Sequence, residues 1–143
     1  MADFVCNSFK QELLQEGHNF TNGADAFYWA LFTNAWTGNN ASTTDYSATN
    51  ETSGTNYTAG GTTVANVTPT IDGTTAIVDF STDPTWGSAS FTARYTLLYN
   101  SNSASTTDAV ANWDFGSDQT ASGGDFILQL PTAAAATAIL RLA

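Results

Sequence analysis

Two short runs, residues 64–71 and 74–80, flank the dipeptide Asp72-Gly73, and this arrangement limits the fold more than any other local feature of the chain. Asp-Gly readily adopts the positive backbone angles of a type I′ turn. The runs on either side are rich in Val, Ile and Thr, so an antiparallel hairpin is expected here. Pro69 removes one donor from the ladder, which puts the first strand at a sheet edge or a bulge at that residue. The period of two returns in residues 90–99, where Phe91, Ala93, Tyr95, Leu97 and Tyr99 alternate with Thr92, Arg94, Thr96 and Leu98. Residues 26–33 are apolar on both faces, as a strand covered on both sides requires. Residues 109–115, 126–130 and 138–142 read as three further strands. A Gly- and Ser-rich turn cluster at 116–124, and Pro131 with the alanines after it, separate them. Residues 100–107 read as a Ser/Asn/Thr turn.

The count reaches about seven or eight short strands, and parallel pairing would need crossover helices for which the sequence has no pattern. The fold class is therefore all-β, an antiparallel β-sandwich or jelly roll. A length of 143 residues suits one domain. Only 11% of residues are charged, and Thr, Ser, Asn and Gly fill the polar share. The one helical signal lies at residues 8–17. Ser8 is placed to cap it, Gln11 to reach back to the cap, and Gly17 to stop it in a left-handed conformation. Phe9 and Leu13 share one face of this helix, with Leu14 beside them. The expected organisation is an N-terminal arm over residues 1–7 and a single β-sandwich domain over 8–143. Residues 34–61 lose all periodicity, with Trp36, Tyr46 and Tyr57 as their large anchors, and so long a loop suggests function or an arm to a partner.

Charge and chemistry exclude several classes. Thirteen acidic side chains face Lys10, Arg94 and Arg141, for a formal net charge of −10, so neither nucleic acid nor an anionic membrane is an expected partner. Cys6 is the single cysteine and His18 the single histidine, which leaves no disulfide and no Cys/His zinc cluster within one chain. With no basic and apolar leader pattern at the start, folding in a reducing cytosol is expected. Cys6 with His18 could in principle form a thiol–imidazole pair. A small buried thiol and a histidine at a helix end are the commoner outcomes. Asp79 with Asp83, or Asp114 with Asp118, beside Trp86 and Trp113, are spaced for glycoside hydrolysis, yet they stand where strands run into turns and aspartates commonly form turns. Arg94, alone in its strand, calls for a carboxylate such as Asp79 or Asp114. Residues 54–61 lack the lysine and helix of a phosphate-binding loop, and the sequons at Asn19, Asn40, Asn50, Asn56 and Asn66 are unremarkable in so Asn- and Thr-rich a chain. No catalytic, cofactor-binding or metal-binding residue is assigned, and no enzyme is expected.

Laid end to end, several motifs resemble a family of small structural proteins of tailed bacteriophages. They are Asn7-Ser8-Phe9-Lys10-x-Glu12-Leu13-Leu14 with Gly17-His18-x-Phe20, then Asp25-x-Phe27-x-x-Ala30-Leu31-Phe32-Thr33, Asn50-Glu51 and Ser53-Gly54-x-x-Tyr57-Thr58-Ala59-Gly60-Gly61. The series continues with Val78-Asp79-Phe80, Trp86-x-Ser88-Ala89-Ser90-Phe91-Thr92-Ala93-Arg94, Tyr99-Asn100, Asp114-Phe115-Gly116 and Ser122-Gly123-Gly124-Asp125-Phe126. The likeness spans nearly the whole chain and rests on order and spacing, since each motif alone is unspecific. Residues 36–44 and Trp29 are particular to this chain. The resemblance implies a non-enzymatic virion component, located in the virion and in the host cytoplasm during assembly. A capsid decoration or cement protein that bridges and stabilises major capsid subunits is the leading form, with a homo-oligomer, by class a trimer, as its working state.

For such a protein the expected partner-binding residues are Phe4, Val5, Phe9 and Leu13, because a short isolated helix is marginal unless its apolar face is covered. Trp36 joins them as the large aromatic of the long loop. The alternative is a tail or head-fibre component with a glycan-binding β-sandwich, in which Trp36, Trp86 and Trp113 would stack on sugar.

Overall fold

The computed structural model describes residues 3–101 and 107–143. The chain runs β1 (Phe4–Val5), α1 (Asn7–Leu13), β2 (Phe27–Phe32), β3 (Thr62–Thr63), β4 (Asn66–Asp72), β5 (Thr75–Phe80), β6 (Thr85–Asn100), β7 (Asp108–Ile127) and β8 (Leu140–Leu142). Two antiparallel sheets result, one of five strands in the order β1-β7-β6-β2-β3 and one of three in the order β4-β5-β8. The fold is all-β and sandwich-like, as the alternating runs require. Most of the 100–107 turn lies outside the described residues.

β2 is the hub because its sequence is apolar on both faces. Phe27, Trp29, Ala30, Leu31 and Phe32 are all buried. One face meets the second sheet: Phe80 stands edge-on to Trp29 at 5.3 Å and to Phe27 at 6.4 Å, and Phe20 stacks on Phe27 at 4.1 Å. The other face carries Tyr28, which stacks on Tyr99 at 5.6 Å, and Phe32, which stacks on Trp36 at 4.3 Å. Each such ring removed from water contributes about 1.5–3 kcal/mol, so a strand of six residues holds much of the core. The 34–61 segment folds back over the second face and does not reach out as an arm.

The long hairpin corrects the expected strand count along the C-terminal half. Residues 109–115 and 126–127 belong to one strand of 20 residues, β7, and residues 116–124 are part of it and form no turn. Its partner β6 begins at Thr85, five residues before the alternating run, and buries Trp86 and Ala89 as well. Glycine misled the sequence reading because a bulge needs the same positive φ as a turn. Gly123 (φ 79°) is the extra residue where Ala89 pairs with Gly124 and Ser90 with Ser122, and Gly116 (φ 82°) sits in the wider irregularity between the Asp114 and Gln119 pairings. β7 ends at Ile127, short of Leu130, and of residues 138–142 only Leu140–Leu142 pair, with Ala138 and Ile139 buried ahead of them.

In the second sheet the hairpin forms with its loop shifted by one residue. Asp72 pairs with Thr75, so Gly73 and Thr74 make the turn, and only Gly73 has a positive φ, as a type II′ turn requires. Pro69 lies both on an edge strand and at a register shift, between the Val67 and Thr70 pairings.

The N-terminal region departs from expectation in two ways. Residues 4–5 of the supposed arm are an edge strand, Phe4 opposite Asn112 and Val5 opposite Ala111. The helix starts at Asn7 with Cys6 at the N-cap, and no side chain caps it; the Ser8 hydroxyl is buried without a partner. At the other end Glu16, not Gly17, takes the left-handed conformation (φ 59°), while the Gly17 N–H donates to the Glu12 carbonyl at 2.8 Å. Packing of Phe9 on Phe20 and His18 holds this short helix in place of capping.

Candidate functional site

Three of the five expected contact residues come together. Val5 on β1 and Phe9 and Leu13 on α1 line one wall of a groove of about 700 Å³, and Ile77 and Val78 on β5 with Ile139 and Leu140 line the other. The helical spacing of four places Phe9 and Leu13 on the same wall. Phe9 itself is buried in the chain's own core, and Leu13 and Val5 are half-buried against it. Phe4 does not line the groove and is 38% exposed on the sheet edge. Trp36 lies on the opposite face of the five-stranded sheet, where one ring face is taken by Phe32 and Tyr95 stands 5.7 Å away.

The groove also gathers the free positive charge. Lys10 and Arg141 both line it, whereas Arg94, the remaining cation of the sequence, is held elsewhere. Arg94 donates through Nε to Asp114 Oδ1 at 2.5 Å and through Nη2 to Oδ2 at 3.0 Å, so that of the two carboxylates expected as partners it is Asp114, not Asp79, that pairs. Arg141 donates to the carbonyl oxygens of Ala135 and Ala136, which steadies its stem along the wall. A chain of net charge −10 thus places two of its three cations at one apolar depression.

The groups considered for catalysis are arranged otherwise. Burial pushes the Cys6 thiol up to about 11, only partly offset by the Asn112 amide, so at neutral pH it is a protonated core group. Asp114 is held below the usual carboxylate range, first by Arg94, with the Gly116 N–H assisting. Asp118 accepts from Asn34 at 3.1 Å, Asp79 from its neighbour's Phe80 N–H at 2.8 Å and Asp83 from the Leu130 N–H at 2.9 Å. Trp86 is buried, and Trp113 packs on Trp29 at 5.4 Å. A smaller cavity of about 330 Å³ has Trp113 and Asp114 in its wall, with that carboxylate already engaged by Arg94. Among the described residues no helix is long and apolar enough to cross a membrane.

Two constellations escaped the sequence reading. Glu51 accepts hydrogen bonds from Tyr46 Oη at 2.6 Å, Tyr57 Oη at 2.7 Å and the Gly60 N–H at 2.7 Å, which ties the long loop down; only the loop aromatics hinted at it. Glu12, His18 and Asp108 converge so that one donor atom of each lies within 4.8 Å of the others. Asp108 is too far along the chain for any spacing rule to have joined it to the other two. Comparison with family models, curated proteins and solved structures finds no match to this chain.

Proposed function

We propose that this chain is a non-enzymatic structural protein of a tailed-phage virion, most specifically a capsid decoration or cement protein that bridges major capsid subunits. The motif series supports the class. The observation that carries the mode of action is the α1–β5/β8 groove, where an apolar surface and two cations meet on an otherwise acidic molecule. An apolar segment of capsid protein carrying carboxylates fits it by both shape and charge. Cement action is then mechanical: area buried at each seam resists separation of the subunits. Copies grouped as trimers about a threefold axis add modest contacts through effective concentration.

The test uses particles prepared without the protein and reloaded with purified chain. Leu13→Glu and Lys10→Glu should each reduce occupancy at least about tenfold, equivalent to about 1.4 kcal/mol per site, with circular dichroism unchanged. Undiminished occupancy in both variants defeats the proposal. The glycan-binding alternative makes a different demand, since Trp36→Ala would then abolish retention on host polysaccharide and leave occupancy intact.

A further inference from the structure

We propose that Glu12, His18 and Asp108 form a binding site for a divalent metal cation that takes both imidazole and carboxylate ligands, zinc being the best fit, and that the cation clamps α1 to the β6–β7 hairpin. The donors come from three parts of the chain: Glu12 from α1, His18 from the segment after it and Asp108 from the start of β7. The widest of their separations, at most 4.8 Å, must close by about 1.3–1.5 Å, and the His18–Glu12 contact at 2.7 Å must open by about 0.6–0.8 Å, to reach the roughly 3.3–3.5 Å between donors that zinc bonds of about 2.0–2.2 Å produce. The imidazole is fully buried and the Glu12 side chain is 25% exposed, so ligand and pocket are largely formed.

The charge balance favours a cation. Asp25 adds a third carboxylate at the edge of the cluster, through the Asn100 amide. Lys10 and Arg141, which line the groove that His18 also borders, make no ion pair with the cluster: Lys10 donates to Asn7 and Arg141 to backbone carbonyls, while Arg94 is held by Asp114. Glu12 and Asp108 meet one imidazole, with Asp25 further out beyond the Asn100 amide, and these partly buried carboxylates favour an added positive charge.

Asn100 provides an independent pointer. It is fully buried and pairs across the ladder with Asp108, so both side chains stand on the same face of the sheet. Its Nδ2 donates to His18 Nδ1 at 3.0 Å and to Asp25 Oδ2 at 2.8 Å, while its Oδ1 is buried without a partner among the described residues. In this arrangement His18 Nε2 holds the proton and donates to Glu12 Oε2 at 2.7 Å. When zinc takes the Nε2 lone pair, the ring proton moves to Nδ1. A turn of the Asn100 amide then presents the unpartnered Oδ1 to that proton, the outer-shell contact that orients most metal-bound histidines. Asp25 keeps the Asn19 N–H, at 2.7 Å.

The experiment titrates the untagged chain with ZnCl2 alone, and separately with CaCl2, by equilibrium dialysis and by proton NMR of the histidine ring, whose signals belong to His18 without ambiguity. One zinc per chain is expected, with ring signals that shift and saturate at one equivalent. Asp108→Asn and His18→Gln should weaken binding at least about tenfold, and Asp108→Glu should recover part of it. Circular dichroism reports whether each variant is folded; if His18→Gln is not, the ring signals of the native chain decide. Sub-stoichiometric zinc, unmoved ring signals, full affinity in Asp108→Asn, or calcium bound as tightly as zinc overturns the proposal.

Discussion

The two faces of the five-stranded sheet are finished differently. Over Tyr28 and Phe32 the chain supplies its own cover: residues 34–61 fold down, Trp36 stacks on Phe32, Tyr46 on Tyr99, and the Glu51 carboxylate collects three donors from the loop. Tyr57 also replaces a missing neighbour strand, its hydroxyl accepting from the Leu31 N–H at 2.8 Å. Toward the second sheet the cover is incomplete, and a groove remains between α1 and β5/β8. One face is thus sealed with aromatic rings and hydrogen bonds, while an apolar groove stays open beside the other, the surface to which the proposal assigns contact.

Removing the seal should give the largest effect. Glu51→Ala deprives two tyrosine hydroxyls and the Gly60 N–H of their acceptor, with an expected loss of about 2–4 kcal/mol in urea denaturation. The protein that remains folded should still load onto particles, because the groove lies on the other side. Loss of loading without loss of stability would erase the distinction between the faces.

A smaller effect is expected from alkali. Burial, together with the Glu51 charge, pushes Tyr99 up to about 12 from its ordinary 10.0, and burial with Glu51 raises Tyr46 and Tyr57 further. A folded-state value above the unfolded one means that the neutral phenol is favoured in the fold. Its contribution is complete below about pH 10 and declines as pH rises toward about 12. Stability should therefore be level through neutral pH and fall in that window, with ionisation of Tyr46, Tyr57 and Tyr99 appearing together with unfolding. Tyrosinate formed at pH 10 by Tyr46, Tyr57 or Tyr99 in the folded protein, followed by residue-resolved NMR, would show the seal to be open to solvent.

Much of this contrast could be read from sequence, and its limits have physical causes. The doubly apolar 26–33 run and the bulge at Pro69 are set by local steric and hydrophobic rules, and they hold; the alternation in 90–99 holds only up to Ala93, because from Thr96 the long loop and the second sheet cover both faces of β6. The merging of 109–115 with 126–127 into β7 was hidden because glycine serves bulges and turns alike. A cap at Ser8 does not form because Cys6, two residues earlier, already has the extended geometry of an N-cap. Phe9 and Leu13 are legible through helix amphipathicity and Val5 as an apolar residue of the N-terminal arm, but their facing wall on β5 and β8 is a tertiary fact. Asp108 and Glu51 act through long-range or non-periodic contacts that leave no trace in spacing.

The smallest expected effect concerns the thiol. With Cys6 fully buried and its ionisation pushed up to about 11, a thiol reagent at pH 8 should label the native chain at least about a hundredfold more slowly than the urea-unfolded chain. Rapid labelling of the native chain would mean that the β1–α1 corner beside the groove opens readily, and that the groove is less well formed than its walls indicate.

The central claim, that this molecule holds on to a virion shell through the groove beside α1, is tested most directly by electron cryomicroscopy of particles with and without the protein. The account predicts added density at regular positions over the seams between capsid subunits, with α1 and β8 turned toward the shell and residues 34–61 facing solvent. Particles that look the same in both maps, or density attached through the 34–61 face, would contradict it.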